Sequence, residues 1–509
     1  MFENQPKGLF ALALANTGER FGYYTMIAVF SLFLRANYGL SASWAGEIYS
    51  DFLMLVYFFP IVGGWLADRF GFGRMVTTGI LIMFGGYLLL SIPLGGDTVA
   101  LVVMLAALVL IGLGTGLFKG NLQVMVGDLY NDSRYAAQRD TGFSIFYMAI
   151  NIGALFAPTA AIKIMEWAQT NLGVSENDSY HFAFAVACVS LIVSIGIYYA
   201  FRKTFRHVEG DAKKSEKKTD VVELSKEETK KRITALCLVY GVVIFFWMAF
   251  HQNGLSLTYF ADEFTAQTSS GLESMTFDVW NLVLIIIGVY AGFSIFQSKK
   301  TRTKVISGSI VAAVIGLLVW KYYRVSGEIS ISAPIFQQFN PFYVVALTPV
   351  SLAIFGALAK KGKEPSAPRK IAYGMLVAAL AYCLIAVGSI GLPMPTTAPN
   401  EAGEMVAVHM ADVTPQLLIY TYLVLTFAEL LLSPMGISFV TKVAPPKYKG
   451  LMMGGWFVAT AIGNKLVGVG GYLWGNIPIW VVWCVFLVIC LVAAIFMFSI
   501  MKRLENATK

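Results

Sequence analysis

Five polar side chains lie on one face of the first hydrophobic segment in this 509-residue chain. Their offsets of i, i+3, i+4, i+7 and i+8 are the spacing of a single helical stripe. The stripe consists of Asn16, Glu19, Arg20, Tyr23 and Tyr24. Residues 9–14 and 26–34 on either side are almost wholly apolar, so the stripe is expected at bilayer depth, where a charge costs about 2.5–3.5 kcal/mol. A carboxylate, a guanidinium and two phenols at that depth indicate an aqueous cavity that binds a polar solute for transport.

The other apolar segments carry few polar groups, and several of these also have helical spacing. Lys119 follows a glycine-rich segment, GLGTGLFKGN. Tyr147 and Asn151 are four residues apart, so they lie on one helix face. The same spacing separates Glu429 from Ser433. The remaining members of this polar set are His251 and Asn340.

The elements that must position these residues are transmembrane helices. The chain is 57% hydrophobic and only 13% charged, with a mean hydropathy of +0.67, whereas soluble domains carry about 25% charged residues. A span needs about 20 mostly apolar residues. Fourteen segments meet this requirement, at 8–36, 46–67, 75–92, 99–118, 141–163, 181–201, 234–257, 279–297, 304–322, 341–359, 371–391, 416–440, 450–473 and 478–501.

The basic residues predict the orientation of these spans. When the spans alternate from a cytoplasmic N-terminus, all but seven of the 38 Lys and Arg residues fall in loops or flanks on one side. This is the positive-inside pattern, so both termini are expected in the cytoplasm. The lack of large loops favours a bacterial source, so the plasma membrane of a bacterium is the expected location. The net charge of +8 then reflects orientation rather than nucleic-acid binding. The cysteines lack paired spacing and are expected to be free thiols.

Residues 202–232 form the clearest boundary, because eleven Lys or Arg residues are interleaved there with acidic and hydroxyl residues. Such a segment cannot bury a core and is expected to be a charged cytoplasmic linker. It separates an expected N-terminal six-helix bundle at 1–201 from a C-terminal bundle at 233–501, and a cytoplasmic tail follows at 502–509. Two spans at 279–322 exceed the six-plus-six plan of many carriers, so an inserted peripheral hairpin is expected there.

The buried formal charges of the candidate site balance, as a cavity requires if it is to be stable when empty. The acids are Glu19 and Glu429, and the cations are Arg20 and Lys119. The cations suit a carboxylate and the second acid, with its neighbouring amides, suits an ammonium group, so a zwitterion could bridge the two halves. Aromatic residues are available to line its side-chain pockets: Tyr23, Tyr24, Tyr57, Tyr147, Trp247 and Trp456.

Some of these residues have a second interpretation that is purely structural. Tyr147, Asn151 and Asn340 could be hydrogen-bond partners between helices, and His251 could be a packing residue. Lys465 lies deep in its span, where pairing with an acid and snorkelling to the surface are both open.

The motifs in combination resemble the proton-coupled oligopeptide transporter (POT/PTR) family of the major facilitator superfamily. The resemblance covers nearly the whole chain except the linker and the hairpin. It rests on segments in family order: NTGERFGYY (16–24), GWLADRFGFGR (64–74), KGN (119–121), FYMAINIG (146–153), FNP (339–341), ELLLSPMG (429–436) and GLMMGGWF (450–457).

The resemblance implies an all-α polytopic membrane protein of the major facilitator fold, with two six-helix bundles and about fourteen transmembrane helices. It implies that Arg20, Lys119 and Tyr24 meet a peptide carboxylate and that Asn151, Asn340 and Glu429 meet the peptide amino terminus. Tyr23, Tyr57, Tyr147 and Trp456 would shape the pockets, and Ser433 completes the expected substrate-binding set. Asp68, Arg69 and Arg74 would latch the cytoplasmic side. No metal or cofactor is expected, and protons are the expected coupling ion.

Two departures from the family pattern concern proton movement. The family's first glutamate in the helix-1 motif is Asn16 here, and its acid on the seventh helix is His251. Coupling is therefore expected to persist through Glu19, Glu429 or His251, whose unperturbed pKa near 6.5 suits a proton switch.

The leading interpretation is a proton-driven importer of di- and tripeptides that works by alternating access as a monomer in the lipid bilayer. A carrier of another anion or zwitterion on the same fold is disfavoured, because an anion without an amine has no use for Glu429, Asn151 and Asn340. A peptide facilitator without proton coupling stays open. An integral membrane enzyme is disfavoured because the four histidines are scattered, at His181, His207, His251 and His409.

Overall fold

The structure, a computed structural model, describes residues 5–210, 224–325, 327–399, 405–445 and 448–507. These residues are almost entirely α-helical, and twelve ranges among them are long and apolar enough to cross a membrane. The protein is therefore an all-helical integral membrane protein. The cysteines are free, as expected.

The first half of the chain contains six long helices. Polar N-caps begin three of them, because the side chains of Ser41, Asp97 and Ser175 each accept a hydrogen bond from a backbone N–H of the first turn. The helices are α1 (Lys7–Tyr38), α2 (Ala42–Phe70), α3 (Phe72–Leu90), α4 (Thr98–Asp128), α5 (Arg139–Leu172) and α6 (Glu176–Ala200). Short 3-10 turns follow α4 and α6, at Leu129–Asn131, Ala136–Gln138, Arg202–Thr204 and Arg206–Val208.

The second half has more, and shorter, helices. They are α7 (Lys226–Phe250), α8 (Ser256–Phe264), α9 (Gly271–Ser274), α10 (Val279–Gln297), α11 (Thr301–Arg324), α12 (Phe339–Lys360), α13 (Ala367–Gly388), α14 (Pro415–Val443), α15 (Lys449–Lys465), α16 (Gly468–Leu473), α17 (Ile479–Ser499) and α18 (Met501–Ala507). Further 3-10 turns lie at His251–Gly254, Met275–Phe277 and Ala333–Gln338. Two antiparallel strand pairs join loops, β1 (Thr268–Ser269) with β2 (Ile329–Ser330) and β3 (Thr397–Pro399) with β4 (Met405–Ala407).

Each of the fourteen predicted spans corresponds to a helix, but two of them are interrupted. The predicted span at 234–257 ends as α7 at Phe250, turns through His251–Gly254 and restarts as α8. The Gln252 side chain satisfies this break: its amide donates to the carbonyls of Met248 at 3.1 Å and Val467 at 3.0 Å, and its oxygen accepts from Ser256. The span predicted at 450–473 is likewise divided into α15 and α16.

The helices pack within each half, and the two halves meet along an interface that we call the seam. In the first half α1 packs on α5 and α6, and α4 packs on α2 and α3; in the second half α13 packs on α14 and α17. The seam is formed by α2 against α15 and α16 on one flank and by α5 against α12 on the other. The polar residues of α1 are thereby placed inside the first half, beside α5.

The hairpin α10–α11 is peripheral, as expected. Only 22% and 11% of its two apolar windows are buried, so most of its apolar side chains face the lipid. Its α10 touches both halves, because the Trp280 ring packs on Phe156 of α5 with centroids 5.4 Å apart while α10 also packs on α12. Lys321 of α11 pairs with Asp278 at 2.5 Å and joins the two hairpin helices.

Glycine allows α2 and α4 to approach each other closely. A Cβ atom added at Gly63 would lie 2.2 Å from the carbonyl oxygen of Gly116, a backbone atom that cannot rotate away. The neighbouring Gly64 has nothing within 4 Å of the same position.

We expect Gly63→Ala to lower the midpoint of thermal unfolding of the purified protein in detergent, because overpacking costs about 1–3 kcal/mol. Gly64→Ala is the matched control and should not lower the midpoint, since alanine is the better helix former. Equal midpoints for the two variants would contradict this close contact.

Candidate functional site

The two charges of the α1 stripe neutralise each other. The guanidinium of Arg20 donates two hydrogen bonds of 2.5 Å to the carboxylate of Glu19. Both side chains are almost fully buried, with 4% and 1% of their surfaces exposed. Such a bidentate charged pair is among the stronger hydrogen-bonded arrangements in proteins. Arg20 therefore has an anionic partner within its own helix.

The other stripe residues surround this pair. The Arg20 guanidinium carbon lies 4.5 Å from the centre of the Tyr23 ring, and Tyr23 meets the Tyr24 ring edge-on at 5.2 Å. Asn16 is buried one turn before Glu19, and within the described part of the chain its side-chain nitrogen has no hydrogen-bond partner. A buried donor without a partner is energetically unfavourable, so the side-chain nitrogen of Asn16 is available to donate a hydrogen bond to an acceptor.

Lys119 of α4 has an aromatic neighbour in place of an acid. Its ammonium lies 4.0 Å from the centre of the Tyr57 ring, a cation–π contact. Lys119 is within electrostatic reach of Glu19 and Arg20, yet it forms no ion pair among the residues that the structure describes. It is a cation that an incoming anion could pair with.

Glu429 of α14 is the complementary charge. Asn340 donates to its carboxylate at 2.9 Å and to the hydroxyl of Thr426 at 3.1 Å. Glu429 is buried and has no cationic partner in the described ranges. Tyr24 and Tyr147 lie within its electrostatic reach, so this acid faces the first half of the chain.

His251 lies in the break between α7 and α8, where it joins three helices. Its Nδ1 is 2.6 Å from the side-chain oxygen of Asn464 on α15. Its ring stacks on Trp247 at 5.0 Å and lies 6.4 Å from the Tyr57 ring of α2. Asn464 was not predicted as a site residue from the sequence, although Asn464 and Lys465 are adjacent polar residues inside an apolar segment and could have indicated it.

The remaining predicted site residues have local partners. The Asn151 amide donates to the carbonyl of Tyr147 one turn earlier, at 3.0 Å. The Tyr147 ring is 44% exposed. Trp456 is buried, and its ring occupies the space where Gly436 would carry a Cβ. Ser433 is half-buried. Their contact with substrate stays a prediction.

The predicted latch residues lie at the far end of α2 and the start of α3. We call this side the basic face; it carries the loops at 68–74, 298–304 and 360–370. Asp68, Arg69 and Arg74 are exposed there and, within the described ranges, form no ion pair. The Arg69 guanidinium instead lies 4.1 Å from the Trp65 ring centre. Their role in gating stays a prediction.

The profile of the POT family (PTR2) matches residues 74–226 and 322–474, which is more than half of the chain. The chain belongs to the POT family. It is therefore a transporter of the major facilitator superfamily rather than an enzyme, and the resemblance of its motifs is confirmed.

Relatives and solved structures of this family match the chain over nearly its whole length. An uncharacterized transporter of Bacillus subtilis (strain 168), YclF, is 29% identical, with 94% of this chain and 90% of that protein covered. A di-/tripeptide transporter of Lactococcus lactis subsp. lactis (strain IL1403) is 27% identical, with 91% and 89% covered. The crystal structure of a mutant POT peptide transporter in complex with alafosfalin is 26% identical, covers 100% of this chain and 97% of its own, and has a TM-score of 0.73.

In this POT protein an ion pair that the sequence did not predict crosses one side of the seam. We call this side the closed face; it comprises the ends of α1, α8 and α15 and the start of α2. Arg35 of α1 pairs with Glu263 of α8, and the two side chains are only 11% and 1% exposed. The indole N–H of Trp474 donates to the same carboxylate at 3.2 Å, and the Tyr259 ring lies 4.6 Å from the Arg35 guanidinium carbon.

A second ionic contact on the closed face determines the role of Lys465. Its ammonium pairs with Glu47 and with Asp51, the latter at 2.6 Å, so α15 is joined to α2. Of the two interpretations left open for Lys465, pairing with an acid is the one observed. Beside this contact, a Cβ at Gly471 would lie 2.4 Å from the carbonyl of Ala42, so the helices themselves touch.

A loop covers the same face through His409. One ring nitrogen of His409 lies 3.0 Å from the carbonyl oxygen of Asp262 and the other 3.0 Å from the carboxylate of Asp412. Partial burial disfavours the charged ring, but these two contacts outweigh it and raise the pKa of His409 above its ordinary value. The protonated ring therefore holds the loop to α8 more strongly.

We expect Glu263→Gln to open the closed face, because it leaves the buried Arg35 without an anion, a loss that typically costs about 3–5 kcal/mol. Spin labels at the exposed positions Trp44 and Leu272, one in each half, would report the opening as a longer distance in pulsed electron resonance.

Glu166→Gln is the matched control, because it removes a carboxylate from an exposed pair with Lys163, and such pairs contribute about 0–1 kcal/mol. Its distance distribution should equal that of the parent. An unchanged distribution in Glu263→Gln would show that the Arg35 pair does not hold this face shut.

Proposed function

We propose that this protein is a symporter that imports di- and tripeptides with protons by alternating access. The observation that carries the proposal is two opposite charges that have no ion pair among the described residues: Lys119 in the first half and Glu429 in the second. The carboxylate of a zwitterion would pair with Lys119, and its ammonium group would pair with Glu429. Relatives named as di-/tripeptide transporters, such as the Lactococcus lactis protein, support the same substrate class.

The carboxylate end of the peptide is assigned to Lys119. Arg20 is already held by Glu19, whereas Lys119 contacts the face of Tyr57 and has no ion pair in the ranges that the structure describes. A carboxylate would form a charge-assisted hydrogen bond with the ammonium, and the nearby Arg20 and Tyr24 would provide further donors around it.

The amino terminus of the peptide is assigned to Glu429 and Asn340. The Asn340 amide nitrogen donates to Glu429 and Thr426, which orients its carbonyl oxygen away and leaves that atom to accept from an ammonium. Asn151 and Tyr147 lie on the opposing helix α5. Because recognition uses the two termini, many side chains are tolerated.

The same residues weigh against the alternative substrates. A nitrate-like anion would leave Glu429 beside a ligand of like charge, and a like charge at close range is unfavourable. A zwitterion other than a peptide satisfies both charges, so the spacing between amine and carboxylate is the property that a competition experiment must vary.

The closed face is assigned to the extracellular side of the plasma membrane. The basic face carries the Lys- and Arg-rich loops, which the positive-inside rule places in the cytoplasm. The closed face has the buried Arg35–Glu263 pair across the seam, whereas Tyr147 is exposed between the halves. The structure then corresponds to a state that is accessible from the cytoplasm.

Proton coupling is assigned to Glu429. Glu19 is bound to a guanidinium at 2.5 Å, whereas Glu429 has neutral hydrogen-bond donors only, within the described ranges. A buried carboxylate of that kind is stable when protonated or when paired with an ammonium, so peptide and proton can alternate at one group. His251, bonded to Asn464, is assigned to positioning at the seam.

We expect unlabelled dialanine to inhibit the uptake of labelled dialanine into proteoliposomes at least about tenfold more potently than N-acetyl-dialanine or dialanine amide. Each blocked peptide lacks one charged contact, which is worth about 1.5–3 kcal/mol. Glu429→Gln should remove the discrimination against the acetylated peptide but keep that against the amide. Lys119→Gln should do the reverse.

Uptake that neither blocked peptide discriminates would contradict the assignment of the termini. Glu166→Gln, far from both charges in an exposed pair, is the control and should retain the parental pattern. The absence of dialanine uptake would redirect the search to other zwitterions.

We expect an inward proton gradient to drive accumulation of dialanine above equilibrium in the parent protein and in His251→Gln. Glu429→Gln should only equilibrate, because Gln cannot carry a proton, but it should retain counterflow at saturating peptide. Uptake with and without the gradient, measured on the same vesicles, separates the two processes.

Gradient-driven accumulation by Glu429→Gln would exclude Glu429 as the coupling group, and its loss in His251→Gln would transfer that role to the histidine. Glu19→Gln tests the third candidate. Equilibration without accumulation in the parent would leave a peptide facilitator.

A further inference from the structure

A pocket lies on the basic face, away from the candidate substrate site. Its volume is about 220 Å³. It lies where the corner between α2 and α3 meets the chain that leaves α6. It is lined by Phe70, Gly71, Gly73, Arg74, Arg202, Glu209 and Gly210.

The pocket is preformed, because residues 201–210 are packed onto the α2–α3 corner. The Tyr198 hydroxyl donates to the carboxylate of Glu209 at 2.8 Å, and the backbone N–H of Gly73 donates to the carbonyl of Glu209 at 3.3 Å. A Cβ on Gly73 would lie 2.8 Å from the Glu209 side chain. The buried Phe205 packs on the Tyr198 ring at 4.9 Å.

Among the described residues that line the pocket, the charges sum to one positive charge. Arg202 donates from Nε to both carboxylate oxygens of Glu209, at 2.9 and 2.8 Å, which neutralises that acid. Arg74 also lines the pocket, and it has no ion pair in the described part of the chain. Lys203 and Arg206 lie on the same packed segment. The pocket is therefore net positive.

The surface around the pocket is aromatic. The side chains of Trp65, Phe70, Tyr199 and Phe201 are each about half exposed, and aromatic rings of this kind are enriched at the headgroup level of a membrane. The Tyr199 hydroxyl is 2.9 Å from Thr77, which ties α6 to α3 beside the pocket.

From these four aromatic side chains an apolar surface continues into the bilayer. The outward side chains of α3 and α6 beyond this point are apolar and exposed: Leu81, Leu88, Val189, Ile192 and Val193. Acyl chains can lie along this surface while a headgroup occupies the pocket. A free anion would use the arginine but not the apolar surface.

We propose that this pocket binds the phosphate headgroup of an anionic phospholipid in the leaflet of the basic face. Arg74 pairs with the phosphate, Arg202 and Glu209 shape the pocket, and the acyl chains lie along α3 and α6. Basic pockets between transmembrane helices are known binding sites for anionic headgroups. The site does not depend on the identity of the transported solute.

The test is native mass spectrometry of the full-length protein released from detergent with equal amounts of phosphatidylglycerol and phosphatidylcholine. The parent should retain phosphatidylglycerol preferentially. Arg74→Gln should lower that retention roughly tenfold, because a charge-assisted contact is lost, and Arg74→Lys should restore part of it. Arg302→Gln, an exposed residue of the basic face at the start of α11, is the control and should match the parent.

Three results would overturn the proposal. Equal loss in Arg74→Gln and Arg302→Gln would mean that the lipid follows net charge rather than this pocket. Equal retention of the two lipids by the parent would show no headgroup selection. Displacement of phosphatidylglycerol by millimolar inorganic phosphate, together with an Arg74-dependent thermal shift from phosphate alone, would make the occupant a soluble anion.

Discussion

Compensation of charge inside a low-dielectric bilayer is the constraint on which this structure depends. A charge at that depth needs a partner, and the α1 stripe provides one between adjacent residues, Glu19 and Arg20. This local pairing makes the α1 stripe electrically neutral, so that part of α1 can pack against α5 and α6. Within the described ranges it leaves Lys119 and Glu429 as the charges of the candidate site without an ion pair. The family acids replaced by Asn16 and His251 would add two negative charges here, and without them the remaining four groups still sum to zero.

The closed face shows a different use of charge. The Arg35–Glu263 pair and the Lys465 contacts with Glu47 and Asp51 cross the seam between halves. The Arg35–Glu263 pair is buried, so desolvation offsets much of its attraction, yet losing one partner is costly. The Lys465 contacts are a third to a half exposed, and exposed pairs contribute about 0–1 kcal/mol. Such contacts are specific without adding much net stability to the seam. The apolar cores within each half carry the permanent stability.

The sequence predicted what depends on local pattern and could not predict what depends on distant partners. All fourteen predicted spans correspond to helices, because apolar length and basic loops are local properties, and the α1 stripe follows from helical spacing alone. The break at His251 was missed, because the group that satisfies it, the carbonyl of Val467, lies 215 residues away. The Arg35–Glu263 pair spans 228 residues and has no local signature. Contact of Ser433 and Trp456 with substrate remains a prediction, since each is a single residue whose environment depends on several helices.

The interruption of the seventh span has a mechanical consequence. An unbroken helix of 39 residues, the length from Lys226 to Phe264, would transmit any tilt at one membrane surface to the other as a rigid rod. The four-residue turn His251–Gly254 divides it into a long arm and a short one. The short arm, α8, carries Glu263 at its penultimate position, and the turn is anchored by Gln252 to the chain between α15 and α16. Because the turn interrupts the helical hydrogen bonds, a tilt of the short arm, which carries the salt bridge, need not be transmitted to the long arm.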